Sequence, residues 1–462
     1  MTKMNKDAFK SIQKAAGVSI QLSPKMQKAL REWSKAYTNE SAWINEDVES
    51  LNLPATVASE ISRLVTVESV IKISGSRRAD YIDKQLNNFR INKKDIIEMA
   101  CALGGIIFKP FVLNDKVIID YIYQDEMIPF SFDSNKNITG IIFPSYKIEK
   151  NRVYTRLEIH NFSVENYTIE NKAFVSKNTR LNDGMITDIG SEIPLTEVDE
   201  WKNINPSVVI KGLDAPLYSY FKIPVANNID RKSPLGVSVY ARAIKEIKKA
   251  DIQWARIDWE YESKEAAIDV DENCIETDIY GSKILPKGKG RLFRTYKSET
   301  MSGEKRLFNY YSPEIRDQSF FNGLDKIFKR IEYNCSLAYG TISDPTNVDK
   351  TAEEIKTSKQ RSYQLVSDIQ LSLENALNEL IRVVDDLCDI YNLAPSGNYD
   401  VSYKWDDSII IDAEKEKLQD MQEVNNGLMP KWKYKVKWQG LTEEQAKAEI
   451  ADEDGEGIKY DV

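Results

Sequence analysis

The longest regular pattern of hydrophobic positions in the chain runs from Val366 to Tyr391. Apolar residues recur there at intervals of three and four, which places them on one face of a continuous α-helix. The sequence Thr351-Ala-Glu-Glu354 is typical of a helix N-terminus, and no Pro or Gly follows before Pro395. The pattern therefore predicts one helix over residues 352–391, about 60 Å long.

A turn-rich segment, residues 341–349, precedes this helix. Asp344 and Pro345 interrupt helical backbone there, because the residue before a proline is biased toward extended conformations. The first turns of the following helix, residues 353–360, are polar almost all round, so we expect this end to project from the core. A buried rod with a polar tip that carries a loop indicates a lever or the lining of a passage rather than an active site.

Two more long helices are predicted near the middle of the chain. Ser233-Pro234 and Ser312-Pro313 each combine an N-cap residue with a proline at the first helical position. Apolar stripes follow both, the first to about Ser263 and the second to about Gly340. Between them, residues 268–308 contain short strand-like runs. We therefore predict two long helices that flank a small β-containing excursion.

The N-terminal region begins with helical patterns and changes to a period of two near Ile106. Ser23-Pro24 and Pro54 open two predicted helices, and Gly104-Gly105 closes a third that starts at Lys93. Strand-like runs separated by Asn, Asp and Gly turns follow. They predict one antiparallel, meandering sheet with strands at 117–123, 138–143, 153–160 and 167–175. The Pro-rich residues 182–230 are predicted to form ordered loop with short strands.

The C-terminal region is predicted to contain a strand over 399–411 and a helix over 412–424. Lys and aromatic or aliphatic residues alternate strictly from Lys431 to Trp438, which by its period predicts a strand with one aromatic and one basic face. Two interpretations of this run remain open. Its aromatic rings could stack on bases, as in single-strand binders, or its lysines could keep an edge strand soluble.

Composition narrows the function classes. The 462 residues are 42% hydrophobic and 29% charged, which are values of globular proteins, and no apolar run is long enough to cross a membrane. The cysteines are far apart and the one histidine, His160, has no Cys or second His to complete a metal or catalytic set. No phosphate-binding loop is present. We therefore predict no catalytic residues, no metal, no cofactor and no membrane partner.

Charge is distributed unevenly along the chain. The net charge of −9 argues against tight binding of nucleic acid over the whole surface, but it is compatible with DNA that slides past without being gripped. Residues 281–306 are an exception, with eight cations against two carboxylates. This basic run is either a surface hairpin without a partner or a docking surface for an acidic partner or DNA phosphates; its cations are Lys283, Lys287, Lys289, Arg291, Arg294, Lys297, Lys305 and Arg306.

Several segments, taken in order, resemble the portal proteins of tailed bacteriophages, particularly those of long-tailed phages of Gram-positive hosts. The resemblance covers roughly residues 25–450, and the order and spacing of the matching segments make it specific. These segments are Tyr154-Thr-Arg-Leu-Glu-Ile-His160, Tyr167-Thr-Ile-Glu-Asn171, Ser233-Pro-Leu-Gly-Val-Ser-Val-Tyr240, Pro313-Glu-Ile-Arg316, Ser343-Asp-Pro345 and Lys350-Thr-Ala-Glu-Glu354.

The resemblance implies an α+β portal fold, in which subunits form a dodecameric ring around a DNA channel. Its regions fall on this chain as an N-terminal arm (1–24), a wing of helices and antiparallel sheet (25–232, with a strand in 392–411), two stem helices (233–267 and 313–340), a small β-containing clip (268–312), a tunnel loop (341–351), a long helix (352–391), a short helical crown (412–450) and an acidic tail (451–462).

The resemblance also implies the function and the residues that carry it. Genomic DNA would be packaged and ejected through the ring at one capsid vertex of the virion, after assembly in the host cytoplasm. Partners would be double-stranded DNA, the terminase large subunit, major capsid and scaffolding proteins, and a head–tail adaptor. Tunnel-loop residues in the channel would be Ser343, Asp344, Thr346, Asn347, Asp349 and Lys350, and terminase would dock on Lys283, Lys287, Lys289, Arg291, Arg294 and Lys297.

Two other classes of protein remain as alternatives. One is an enzyme acting on nucleic acid, with a carboxylate–metal site on the sheet formed for instance by Asp120, Asp125 and Glu158; EDTA would abolish its activity. The other is a monomeric adaptor or scaffold built on helical levers, which would form no channel.

Overall fold

The computed structural model describes most of the chain. The residues described are 3–4, 6–177, 185–186, 188–271, 279–280, 293–296, 308–344, 352–405, 413–439, 442–443, 445–447 and 450. Within them the architecture mixes helices with mainly antiparallel sheets, as the sequence predicts.

Two helix boundaries show directly the local signals that set them. The Ser23 hydroxyl accepts a hydrogen bond from the Met26 amide at 3.3 Å, and Gly104, with φ +95°, ends a helix in the left-handed conformation. In chain order the helices are α1 (Lys6–Ala16), α2 (Pro24–Tyr37), α3 (Leu53–Thr66), α4 (Arg77–Gln85), α5 (Asn87–Leu103), α6 (Ile244–Ser263), α7 (Asp317–Asn334), α8 (Ala352–Tyr391), α9 (Ala413–Asn425) and α10 (Lys431–Gln439).

The strands concentrate between α5 and α6. In chain order they are β1 (Lys3–Met4), β2 (Val70–Ser74), β3 (Gly105–Leu113), β4 (Lys116–Tyr123), β5 (Ile128–Phe132), β6 (Ile138–Glu149), β7 (Arg152–Phe162), β8 (Tyr167–Lys177), β9 (Met185–Ile186), β10 (Ser191–Ile193), β11 (Ser207–Ile210), β12 (Ser219–Lys222), β13 (Ala267–Asp271), β14 (Phe293–Tyr296), β15 (Phe308–Tyr311) and β16 (Asp400–Lys404).

The predicted single meander is divided between two sheets. Strands β5 to β8 pair with their chain neighbours, and β10 and β11 both pair with β8, so this part of the prediction is confirmed. The strand predicted at 117–123 was assigned to the wrong sheet, because β4 pairs with β3, which pairs on its other side with β12. The turn between β3 and β4 contains Asn114 and Asp115, both with positive φ, a geometry that closes a local hairpin.

Helix α8 runs through the main hydrophobic core. Its stripe from Val366 to Leu387 is buried, and it packs against α3, α4, β3 and β12. The helix was predicted over the same residues, since its apolar spacing is unbroken. Arg78 of α4 fixes its C-terminal end: the buried guanidinium donates to the Asp385 carboxylate at 2.8 Å and to the Pro395 carbonyl at 3.0 Å.

The helix predicted to start at Ser233-Pro234 begins ten residues later, at Ile244, so that prediction of its start was wrong. The intervening segment crosses the end of α5 backbone to backbone: a Cβ on Gly236 would lie 1.9 Å from the Gly104 carbonyl oxygen. Buried Gln124 bridges the crossing, donating to the Leu103 carbonyl at 2.7 Å and accepting from the Gly236 amide at 3.2 Å. These tertiary bonds replace the hydrogen bonds of a helical turn.

The helix predicted from Ser312-Pro313 was likewise placed too early, since α7 starts at Asp317. The Arg316 amide and guanidinium both donate to Glu260 of α6, and these bonds hold the preceding residues outside the helix. The small sheet between the two helices contains β13, with β14 parallel and β15 antiparallel to it. A β-containing excursion between two long helices is therefore present.

The prediction of a strand at Lys431–Trp438 was wrong, because this run forms helix α10. Pro430 immediately precedes it, where its fixed φ favours helix initiation. Among the described residues the run has no strand partner, and an unpaired strand gains no ladder hydrogen bonds. Instead Asp420 of α9 accepts from Lys437 Nζ at 2.6 Å and from Trp438 Nε1 at 2.8 Å. The helix predicted at 412–424 is present as α9, and β16 covers part of the strand predicted over 399–411.

We predict that Gly236→Ala destabilises the protein by about 2–3 kcal/mol, because the added methyl group overlaps the Gly104 backbone and forces the crossing apart. Chemical denaturation of the purified variant measures this loss. Gly323→Ala is the matched control: its Cβ would meet its nearest neighbour at 3.9 Å, and alanine within a helix stabilises by up to about 1 kcal/mol. Equal stability of the two variants would contradict the prediction.

Candidate functional site

The site lies where α7 ends and the chain turns toward α8. Glu332, in the last turn of α7, is fully buried. Its Oε1 accepts hydrogen bonds from the amides of Gly340 (3.1 Å), Ile342 (2.7 Å) and Ser343 (2.9 Å), and its Oε2 accepts from the Ser343 hydroxyl at 2.8 Å. Hydrogen bonds to a charged acceptor are stronger than neutral ones. One carboxylate therefore binds three residues at the start of the predicted tunnel loop, Gly340, Ile342 and Ser343.

A Schellman motif at the end of α7 makes this arrangement possible. Ser336 adopts a left-handed conformation with φ +58°, its amide donates to the Tyr333 carbonyl, and the Leu337 amide donates to the Glu332 carbonyl at 2.9 Å. These are the two hydrogen bonds that define the motif. The reversal buries Cys335 and Leu337 and brings residues 340–343 back beneath the Glu332 carboxylate.

The return of the chain into α8 is held at the same turn of α7. The guanidinium carbon of Arg361 lies 4.8 Å from the ring centre of Tyr333 and 5.6 Å from that of Tyr339. Both distances are within the range of cation–π attraction. Asp325, two turns before Glu332 in α7, accepts from the Asp344 amide at 3.3 Å and pairs with Lys329 at 2.7 Å. The described start of the loop and helix α8 after the loop thus both contact α7.

The opposite end of α7 is joined to α6 by an ion pair. Arg316 donates from Nε to Glu260 Oε1 at 3.1 Å and from Nη2 to Oε2 at 2.8 Å, which is the bidentate geometry that guanidinium and carboxylate favour. These hydrogen bonds from Arg316 lower the pKa of Glu260 to about 2. An edge-to-face contact between Trp254 and Phe321, 6.4 Å between centroids, adds to the packing of the two helices.

Helix α6 is joined to the N-terminal helical region through Asp251. Its carboxylate accepts from Trp43 Nε1 at 2.8 Å and from the Leu51 amide at 3.0 Å. Burial raises the pKa of Asp251, because the charged form loses hydration inside the protein. The two hydrogen bonds partly offset that cost and fix the 43–51 loop against the long helix.

Three of the predicted site residues lie within the described residues. Ser343 is buried against Glu332, Asp344 is exposed at the end of the described loop, and Arg294 lies in β14. The remaining predictions lie outside the described residues; they are Thr346, Asn347, Asp349 and Lys350 of the loop, and Lys283, Lys287, Lys289, Arg291 and Lys297 of the basic run.

The sequence prediction missed Glu332, although its spacing contains a signal. It lies four residues after Phe328 and three before Cys335, so it falls on the apolar stripe of α7. A carboxylate in such a stripe, just before a chain reversal, requires buried donors. Glu260 and Asp251 are likewise acidic residues at buried helix positions.

One carboxylate of the alternative metal site, Glu158, is paired with two cations. Asp120 and Asp125 line a cavity of about 530 Å³ together with Lys109 and Arg156. Glu158 pairs with Lys109 at 2.9 Å and Arg156 at 3.1 Å. Across the described residues, no three His, Cys, Asp or Glu side chains are grouped so as to hold a metal ion.

His160 has a structural environment. Its Nε2 lies 2.8 Å from Glu158 Oε1, and its Nδ1 is hydrogen-bonded to the Tyr167 hydroxyl. Burial lowers the pKa of His160, so the neutral ring donates to Glu158 and accepts from Tyr167. Burial alone would raise the pKa of Glu158, but the His160 hydrogen bond and the charges of Lys109 and Arg156 hold it well below its ordinary value.

No helix in the described part of the chain is long and apolar enough to cross a membrane.

We predict that Arg316→Gln lowers the free energy of unfolding near neutral pH and that this difference disappears in acid. The folded pKa of Glu260, about 2, lies below its ordinary value of 4.5. The stabilisation is therefore complete above pH 4.5 and is lost as the pH falls toward 2. Denaturant titrations of wild type and variant at several pH values measure it.

The control for this prediction is Lys202→Gln, which removes an exposed surface pair with Asp199 at 3.4 Å; such pairs contribute little. A difference between wild type and Arg316→Gln that is the same at pH 7 and pH 2 would contradict the assignment.

Comparison with known proteins identifies the family. The sequence model described as "Phage portal protein, SPP1 Gp6-like" matches residues 35–460. Among solved structures, a similar chain comes from one described as "Neck of native GTA particle computed with C12 symmetry", with a TM-score of 0.43 and 10% identity over 92% of this chain and 96% of that chain. No curated protein matches. Because the family model spans nearly the whole chain, the chain belongs to the SPP1 Gp6-like phage portal proteins and has a portal, or head–tail connector, role.

Proposed function

We propose that twelve copies of this chain form a ring around a channel through which double-stranded phage DNA is packaged and later ejected. Membership of the portal family supports the role. The observation that supports the channel is that the described start of the predicted tunnel loop (341–351) and helix α8 after the loop both contact one long helix, α7, since a ring of such loops would present a defined constriction to DNA. We assign the chain to phages with long tails and Gram-positive hosts on the segments quoted from the sequence.

The regions of the ring follow from this proposal. Helices α6 and α7 form the stem, the sheet of β13, β14 and β15 belongs to the clip, and α9 and α10 form the crown. The remaining sheets, with α2 to α5 and most of α8, form the wing. The wing is supported by its own core, which is continuous with the buried residues of α6, α7 and α8.

Charge accounts for how DNA would pass. The chain carries 72 acidic and 63 basic residues, so the channel walls of an acidic ring repel phosphates and keep friction low. Cations at a few positions, with Lys350 facing the channel, make contacts that break easily. Lys283, Lys287, Lys289, Arg291, Arg294 and Lys297 instead form the docking surface for the terminase large subunit and later for the head–tail adaptor.

The chain acts as a structural component of the virion, with major capsid and scaffolding proteins as neighbours at the portal vertex. It assembles in the host cytoplasm. ATP hydrolysis is the work of the terminase, since the sequence contains no nucleotide-binding motif. The occupation of Glu158 by Lys109 and Arg156 disfavours the alternative nucleic-acid enzyme, because a metal ion would have to displace both cations.

We predict that the purified protein forms rings with a central hole and a mass about twelve times that of the 53.0 kDa chain. Native mass spectrometry and negative-stain imaging measure mass and shape, with scaffolding protein added when the chain alone stays monomeric. A monomer that persists with scaffolding protein and cuts DNA when a divalent metal is added would overturn the proposal.

We predict that reversing charge at Lys287, Lys289 and Arg291 to Glu weakens binding of the terminase large subunit at least about tenfold, because several attractive contacts become repulsive. Pull-down and titration with assembled rings measure it. The control is the triple reversal of Lys147, Lys172 and Lys202 on the wing, which changes net charge equally. Unchanged terminase binding by the first variant would remove the docking assignment and leave the ring proposal intact.

A further inference from the structure

We propose that Glu332 is the positioning residue of the channel loop: it fixes residues 340–343, where the loop begins, to the stem helix α7. This inference rests on the proposed function for its consequence in DNA passage. The attachment itself rests only on described residues of α7, α8 and the segment 340–344.

The first argument is the way the carboxylate is satisfied. A buried charge is tolerated only when hydrogen bonds or opposite charges replace its lost hydration. Glu332 obtains three backbone amides and one hydroxyl, and all four come from Gly340, Ile342 and Ser343. Backbone amides cannot rotate away as side chains can. Release of the segment would therefore remove every donor of this buried side chain at once, so the bonds are made or broken together.

The second argument is that helix α8, which follows the loop, contacts the same part of α7. Tyr333, the next residue after Glu332, contacts the Arg361 guanidinium of α8, and Tyr339 contacts it as well. Helix α8, at its tenth residue, thus contacts the turn of α7 that contains Glu332. A displacement of α7 therefore acts both on residues 340–343 and on α8.

The third argument concerns the side of the segment that faces the wing. Thr341 and Ile342 line a cavity of about 600 Å³ whose other walls include Ala55 and Ser59 of α3. Ile342 also packs against the main core. The amides of Gly340, Ile342 and Ser343 donate to Glu332, so α7 fixes the backbone of the segment.

The stem also connects this attachment to the clip end of the molecule. Arg316 and Glu260 join α7 to α6 at the opposite end of α7 from Glu332. A force that DNA exerts on the loops would therefore act on the stem helices, along which it reaches the clip. The loop and the motor-docking surface would be two ends of one rigid element.

The test compares rings of wild type, Glu332→Gln and Ser343→Ala. Glutamine keeps the size of the side chain but removes the charge and presents an N–H₂ group to donors. In hydrogen-exchange mass spectrometry we expect the amides of 340–343 to exchange about tenfold faster or more in Glu332→Gln. We expect a smaller increase in Ser343→Ala, which keeps the three amide bonds. The control is Glu200→Gln on the wing, where one exposed pair with Lys147 is lost.

The same rings are then supplied with terminase and DNA. We expect Glu332→Gln rings to keep their mass and terminase binding and to package at least about tenfold less DNA, with Ser343→Ala intermediate. The inference would be overturned if amide exchange were unchanged in both variants. It would also be overturned if the amides of 340–343 exchanged faster while the rings packaged as much DNA as wild type. If Glu332→Gln does not assemble into rings, amide exchange and DNA packaging of the Ser343→Ala rings test the inference instead. If wild-type rings package no DNA, the proposed function fails, whereas amide exchange still judges the attachment.

Discussion

A carboxylate that leaves water must find donors inside the protein, and this requirement governs the joints between the long helices. Asp251 takes donors from the 43–51 loop, Glu260 takes the backbone amide and guanidinium of Arg316, and Glu332 takes the chain that leaves α7. Each lies at a helix position that packing has removed from solvent. Removing the donors of such a group costs more than an exposed ion pair contributes. The hydrophobic core determines which helices and strands are neighbours. Hydrogen bonds to the buried acids determine how these elements are joined.

The sequence predicted the elements that depend on one uninterrupted local pattern. Helix α8 was predicted at its observed bounds because its apolar stripe, its starting signal and the absence of Pro and Gly all agree. The Ser-Pro pairs at 233 and 312 misled for a common reason, since the same dipeptide suits an extended segment with fixed φ. At Ser233 the chain continues into a backbone crossing at Gly236, and before α7 the Arg316 bonds to Glu260 delay the helix. Neither tertiary contact is visible in a local pattern.

The parts that could not be predicted are those decided by partners distant in sequence. Period two assigns a strand but not its neighbour, so β4 was placed in the wrong sheet although its hairpin with β3 is local. For Lys431–Trp438 even the period misled, because a strand also needs a partner strand. The run instead forms a helix whose Lys437 and Trp438 donate hydrogen bonds to Asp420 of α9. The role of Glu332 depends on a chain reversal at Ser336, a left-handed residue that is not glycine. The sequence feature that could have indicated this role is the position of Glu332 on the apolar stripe of α7.

Under the proposed function, a passage for a polyanion needs walls that do not hold DNA and joints that do not yield. Acidic residues serve both purposes. An exposed acid repels DNA, and a buried acid joins two parts of the chain. An exposed carboxylate keeps its charge in water and repels phosphates over roughly a Debye length. A buried carboxylate has no water to return to, so it holds whichever backbone amides surround it. Both uses occur around the end of α7: Glu332 is buried and binds the chain, while Asp344, twelve residues later in the loop, is exposed.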